Sequence, residues 1–181
     1  MLEPGGNRPY AEIMISQKTK YALKALLTLA DEAARPKPEA LTIEEIARRS
    51  QAPKRFLEHI LLDLRNTGII DSRRGRSGGY LLVRDPATVS IGALLRQVDG
   101  PIAPLPCLSR TAYARCEDCE DEATCRVRRT FSQVFYAYLL LIESLTLADL
   151  ASRDGEAVHL EALLEASGPL ANGTPVSPSA E

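Results

Sequence analysis

Between Ser16 and Ala30 the apolar residues Tyr21, Leu23, Ala25, Leu26, Leu29 and Ala30 recur at helical spacing, the pattern of a helix with one face turned to a core. Ser16 is placed to cap this first helix, and Arg35-Pro36 ends it. After the Pro36-Lys37-Pro38 loop, Thr42-Ile43-Glu44-Glu45 reads as a capping box, in which the Thr42 hydroxyl and the Glu45 carboxylate serve free amides reciprocally. Ile43, Ile46 and Ala47 form the buried face of this short second helix. Ser50-Gln51-Ala52 breaks it. Pro53, favoured at a first helical position, opens a third helix whose apolar stripe is Phe56, Leu57, Ile60, Leu61 and Leu64, and Asn66-Thr67-Gly68 stops it.

Two short helices joined by a tight turn make a helix-turn-helix pattern. A hairpin pattern extends it. Ile69-Ile70-Asp71-Ser72 reads as a strand, Arg73 to Gly79 as a basic Gly-rich loop, and Tyr80-Leu81-Leu82-Val83 as a returning strand. The predicted fold is therefore mainly α with a small β-hairpin wing, a winged helix-turn-helix. Ser90 caps a further helix over Ile91 to Val98, whose Ile91, Leu94, Leu95 and Val98 return to the same core, and a Pro-rich linker runs from Pro101 to Pro106. Farther on, Val127, Phe131, Val134, Tyr138, Leu141 and Leu145 alternate by four and three residues. That is a heptad-like seam, widened by Phe135, Leu139 and Ile142. A long helix so apolar needs a partner, either its own domain or a second copy of the chain. The expected organisation is a disordered extension over 1–13, a winged-helix DNA-binding domain over 14–100, a cysteine-containing linker over 101–126, a dimerisation helix over 127–150 and a mostly disordered tail over 151–181, with one short helix expected at 154–166.

Composition adds exclusions. With 181 residues, 45% of them hydrophobic and 25% charged, the chain suits one core with an accessory element. It has no apolar run long enough to span a bilayer and no secretory signal, so the expectation is a cytoplasmic protein without a membrane partner. The net charge of −2 argues against a uniformly basic surface, yet charge is unevenly spread. From Leu41 to Arg84 nine basic residues face five acids. A basic helix start and wing tip suit the phosphate backbone of double-stranded DNA. Gln51, Lys54, Arg55 and His59, near the start of the third helix, are the candidates to face a major groove, and Arg and Gln suit bidentate contacts with guanine and adenine. Arg74 and Arg76 in the wing are candidates for the minor groove or nearby phosphates.

All four cysteines, Cys107, Cys116, Cys119 and Cys125, fall within nineteen residues, separated by eight, two and five positions. A two-residue gap lets two thiolates share a metal from a tight turn, and four thiolates complete a zinc site or hold an iron-sulfur cluster. Glu117, Asp118, Glu120, Asp121 and Glu122 lie between them, so thiolates add negative charge to negative charge, and a bound cation is expected to relieve it. An iron-sulfur cluster of two or four irons, a zinc ion, or no metal at all remain the alternatives. Enzymatic chemistry is not expected: His59 and His159 are the only histidines, both remote in sequence from the cysteines, and no Gly-rich phosphate loop precedes a helix.

Taken together, these motifs resemble the Rrf-two family of bacterial winged-helix transcriptional regulators. The matching stretches are Met14-Ile15-Ser16 with Lys20 to Leu26, Thr42 to Ala47, Phe56 to Leu64 followed by Gly68-Ile69-Ile70, the wing Arg74 to Leu82, and Cys119 to Cys125 followed by Arg126. About residues 14 to 148 are covered. The resemblance implies a sequence-specific DNA-binding homodimer, a repressor in the main reading, with the long helix packed on its twin. In members that sense iron, redox state or nitric oxide, it further implies a cluster on three cysteines and one other group. Here this chain departs from the family. The position that is a histidine ligand in one such member is Arg128, and the aspartate ligand of another is Lys20. Neither can take that role, so a site using all four thiolates, or three of them, is the expectation.

Overall fold

The computed structural model describes residues 15–75 and 77–152; the expectations for 1–13, for Arg76 and for 154–166 lie outside them. Contacts divide the chain into two compact units. Of the described residues, one unit holds those up to Arg84 together with Leu95–Ile102, the other Asp85–Leu94 and those from Ala103 to Ser152.

The first unit begins with α1 (Gln17–Ala33), capped by Ser16, whose hydroxyl accepts from the Thr19 amide at 3.1 Å. The same serine is tethered to Asp99 through both its amide and its hydroxyl. Then come α2 (Ile43–Ser50) and α3 (Lys54–Asn66). Ala22, Ala25, Leu26 and Leu29 of α1, Ile46 of α2, and Leu57, Ile60, Leu61 and Leu64 of α3 are buried, each full burial of a large side chain contributing about 2 kcal/mol. Phe56, which the periodicity assigns to this stripe, is instead 43% exposed. Pro53 is the cap of α3 rather than its first helical residue. Gln51, at the end of α2, has φ 54°, a left-handed conformation that side-chain-bearing residues seldom adopt.

β1 (Ile70–Arg73) and β2 (Gly79–Leu82) pair antiparallel, Ile70 opposite Leu82 and Arg73 opposite Gly79, so the expected wing is present. A further rung ties it to the helices. Leu41, just before the α2 cap, exchanges two main-chain bonds with Tyr80, at 2.9 and 2.8 Å.

The capping box at Thr42 is only half as predicted. The Thr42 hydroxyl accepts from the Glu45 amide, while the Glu45 carboxylate is taken up by Arg48 and Arg49. Arg49 also reaches Glu32 of α1 at 2.7 Å, a carboxylate whose side chain is 5% exposed and which also meets Arg35 at 3.1 Å. Hydrogen bonds from Arg48 and then Arg49 lower the Glu45 carboxyl to about 2, and Arg49 lowers that of Glu32 against the opposing effect of burial. A depressed folded-state pKa stabilises above the ordinary carboxylate value, and the gain is lost as pH falls through the folded value. The thermal midpoint is therefore expected to fall between about pH 5 and pH 2, and Glu32→Gln to flatten that fall, as read from melting followed by circular dichroism.

The second unit contains a short 3-10 turn at Pro86–Thr88 and the start of α4 (Ile91–Asp99), which Ser90 caps through the Ala93 amide as predicted. A second 3-10 turn, Pro106–Leu108, precedes α5 (Arg126–Ser144). The helix expected to run to residue 150 ends at Ser144. There the Leu145 carbonyl accepts from the Ile91 amide at 2.8 Å and Ser90 bridges Thr146, which draws the chain into extended form. Thr146 then caps a helix that the sequence pattern does not predict, α6 (Leu147–Ala151), with a complete capping box through Asp149. Gly92 permits the close approach of the α5 end: a Cβ there would lie 3.2 Å from the Ile142 carbonyl oxygen.

Candidate nucleic-acid interface and cysteine loop

Gln51, Lys54, Arg55 and His59 all stand exposed in the α2–α3 turn and the first two turns of α3. Four residues apart, Arg55 and His59 share a helix face. Lys54 Nζ lies 2.5 Å from Glu44 Oε1, which raises the lysine pKa, so a phosphate must compete with a carboxylate for it. The guanidinium of Arg55 rests over the Phe56 ring, 4.8 Å from its centroid, and that ring stacks on Tyr21 at 5.7 Å. Arg74 is exposed between the wing strands.

The nine basic residues of this region are not equivalent. Arg49 is held by Glu32 and Glu45 between α1 and α2, Arg48 is paired with Glu45, and Arg65 donates to Ser72 at 3.3 Å. Charge counting along the sequence cannot separate these tethered cations from those available to a ligand.

In the cysteine loop, Cys107 is buried in the Pro106–Leu108 turn and Cys125 is the α5 cap, its sulfur accepting from the Arg128 amide at 3.4 Å. The neighbouring Cys107 thiol and then desolvation push the Cys116 thiol above its ordinary pKa; desolvation and then the neighbouring Cys125 do the same for Cys119. The thiols thus form two neighbouring pairs, Cys107 with Cys116 and Cys119 with Cys125. Among the described residues, no three His, Cys, Asp or Glu side chains are grouped to hold one metal ion. By donor chemistry, four sulfurs suit a soft metal or an iron-sulfur cluster; by placement, they are gathered two and two.

Within the loop, one of the acids, Glu122, has a cationic partner among the described residues, and two arginines bind the main chain. Arg115 donates to the carbonyls of Cys119 and Glu120 at 2.9 and 2.7 Å. Arg128 donates to the Cys107 carbonyl at 2.8 Å and pairs with Glu122 at 2.6 Å. Tyr113 donates to the other Glu122 oxygen at 2.7 Å. These contacts join residues scattered along the loop, and no periodicity announces them.

On α5, Phe135 and Leu139 are buried, whereas Val127, Phe131 and Val134 of the seam are 54%, 49% and 67% exposed. Among the described residues, this first half of the seam is uncovered, while Tyr138, Leu141 and Leu145 are half-buried. Among the described residues, no helix is long and apolar enough to cross a membrane.

Residues 15–153 match the family model Rrf2, described as an iron-dependent transcriptional regulator. The chain is 65% identical over 147 residues to an rrf2-like HTH-type transcriptional regulator of Rhodobacter capsulatus, covering 81% of this chain and 98% of that one. It is 30% identical over 138 residues to the HTH-type transcriptional regulator NsrR of Geobacillus kaustophilus, covering 76% and 89%. Among solved structures, CymR of Bacillus subtilis, described as the global cysteine regulator, superposes with a TM-score of 0.61 at 29% identity, covering 77% of this chain and 97% of that one.

Proposed function

Because this chain belongs to the Rrf2 family of transcriptional regulators and is a DNA-binding regulator rather than an enzyme, we propose that it acts as a homodimeric repressor whose grip on an operator is set by its cysteine loop. The observation that carries this reading is the exposed cluster of Gln51, Lys54, Arg55 and His59 at the start of α3, beside a basic wing. The N-terminal residues of a recognition helix are those that meet base edges. Gln51, at φ 54° in the α2–α3 turn, stands exposed beside this cluster. Arg74 and Arg76 are assigned to phosphates or the minor groove. The uncovered α5 seam of Val127, Phe131 and Val134 supports pairing with a second copy.

Gel shift of the full chain on genomic fragments tests this. Arg55→Ala is expected to weaken specific binding by about tenfold or more, the value of one lost bidentate contact, and affinity should fall steeply with salt. Unchanged affinity in Arg55→Ala, or a flat salt dependence, would argue against α3 as the reading element.

For the loop, we assign Cys107, Cys116, Cys119 and Cys125 as the residues that would hold an iron-sulfur cluster, on the strength of an all-sulfur donor set. When bound, a cluster supplies a centre sensitive to electrons, iron supply or small gases. The residues' own part is to keep the loop closed: Arg128 and Arg115 bind its main chain, and the α5 N-terminus faces Cys125. Anaerobic purification is expected to give visible absorption with iron and sulfide; a colourless protein with one zinc per chain would overturn the cluster. The pairing of the thiols two and two favours a second reading, a thiol switch on the same dimer. Cluster-free protein would then change operator affinity on oxidation and recover it with a dithiol reductant.

A further inference from the structure

Phe56 stands out among the apolar residues of α3. Its helix neighbours Leu57, Ile60, Leu61 and Leu64 are buried to within 2%, while its ring lies 43% exposed in the first turn. The ring is not loose. Tyr21 stacks on it with 29° between planes, and the Arg55 guanidinium lies over it. Lys54, Arg55 and His59 stand exposed on the same two turns of α3, three basic or neutral polar groups against the single acid Glu58. Any occupant of this apolar spot must therefore bring negative charge close by and an apolar group to the ring. A DNA major groove offers both: phosphates along its walls, and on its floor a single apolar substituent, the thymine 5-methyl.

We propose that Phe56 is a specificity-determining residue that packs against the 5-methyl group of one thymine in each operator half-site, with Tyr21 fixing the ring and Arg55 contacting the adjoining base or phosphate. This rests on the reading that α3 enters the major groove. Apolar contact of this kind discriminates a thymine from every base that lacks the methyl while making no hydrogen bond. It gives a role to a ring at an exposed helical position where Leu or Lys would be as compatible with the helix.

The test uses the full chain and an operator obtained by selection from random duplexes. Each thymine is replaced singly by deoxyuridine, which removes only the methyl group. One thymine per half-site is expected to lose about fourfold in affinity on replacement, the equilibrium equivalent of one buried methyl-sized group. The Phe56→Ala protein is expected to bind the thymine and uracil duplexes equally, and Phe56→Leu to keep part of the discrimination. Melting followed by circular dichroism checks that both variants fold, and the scan with the unaltered protein stands without them. A flat thymine-to-uracil scan, discrimination undiminished in Phe56→Ala, or a Phe56→Ala protein whose DNA affinity is wholly unchanged would overturn the proposal, the last pointing to a protein partner on this ring. Arg55→Ala separates the two levels: if it too leaves binding intact, the docking of α3 fails, whereas its loss beside a flat scan overturns Phe56 alone.

Discussion

Gly79→Ala is expected to lower stability by about 3 kcal/mol. A Cβ at position 79 would lie 2.4 Å from the Leu41 carbonyl oxygen and 2.5 Å from its carbon, with the Thr42 amide nitrogen at 3.0 Å. All three are main-chain atoms, so no side chain can swing aside. Relief requires the wing strand to leave Leu41, which breaks the paired bonds to Tyr80. Because Leu41 immediately precedes the α2 cap, the damage reaches the helix-turn-helix. Gly75 provides the comparison: its φ is 105°, but a Cβ there meets nothing within 4 Å, so Gly75→Ala should cost only backbone strain, about 1 kcal/mol. Thermal melting should show a midpoint lower by roughly 10 °C or more for Gly79→Ala and a much smaller change for Gly75→Ala. Equal midpoints would mean that Leu41 does not clamp the wing.

Val134→Glu is expected to abolish the dimer while sparing the fold. The side chain is 67% exposed at the middle of the α5 seam, so within one chain the substitution disturbs almost nothing. In a paired seam it buries an unpartnered carboxylate against its own twin, which costs several kcal/mol. Light scattering coupled to size exclusion should move from the mass of two chains to that of one, with an unchanged helical circular dichroism spectrum. Operator affinity should fall by about a hundredfold or more, since each head then binds its half-site without the linked second contact. A dimer that survives the substitution would place the contact surface elsewhere.

The elements that position the candidate DNA-reading residues were largely legible in the sequence. Helix period, the Ser16 cap and the Gly-flanked hairpin are local signals, and α1, α2, α3, β1 and β2 arise from them. Local signals cannot carry which neighbour covers a given face. Phe56 fits the apolar stripe of α3 by spacing, yet its neighbours are Tyr21 and Arg55 rather than a closed core. The Glu32–Arg49 pair joins residues seventeen positions apart, so a charge tally assigns Arg49 to the same surplus as Arg55. The end of α5 at Ser144 depends on a bridge from Ser90, again distant in sequence. In the cysteine loop, the spacing showed that the thiols are crowded but not that they sit in two pairs, nor that Arg128 pairs with Glu122 and Arg115 with main-chain carbonyls.

The Arg128 guanidinium bears on the entropy of the cysteine loop. One side chain at the foot of α5 binds the main chain at Cys107, twenty-one residues earlier, and Glu122 between them. Free ends of a segment that long lose conformational freedom when brought together. Here the ends are already joined by the fold, so the cluster proposed for this loop would order only its interior. Arg128→Ala would restore that closure cost to any such binding event, so the loop would capture the proposed cluster more weakly even though no thiol had been altered.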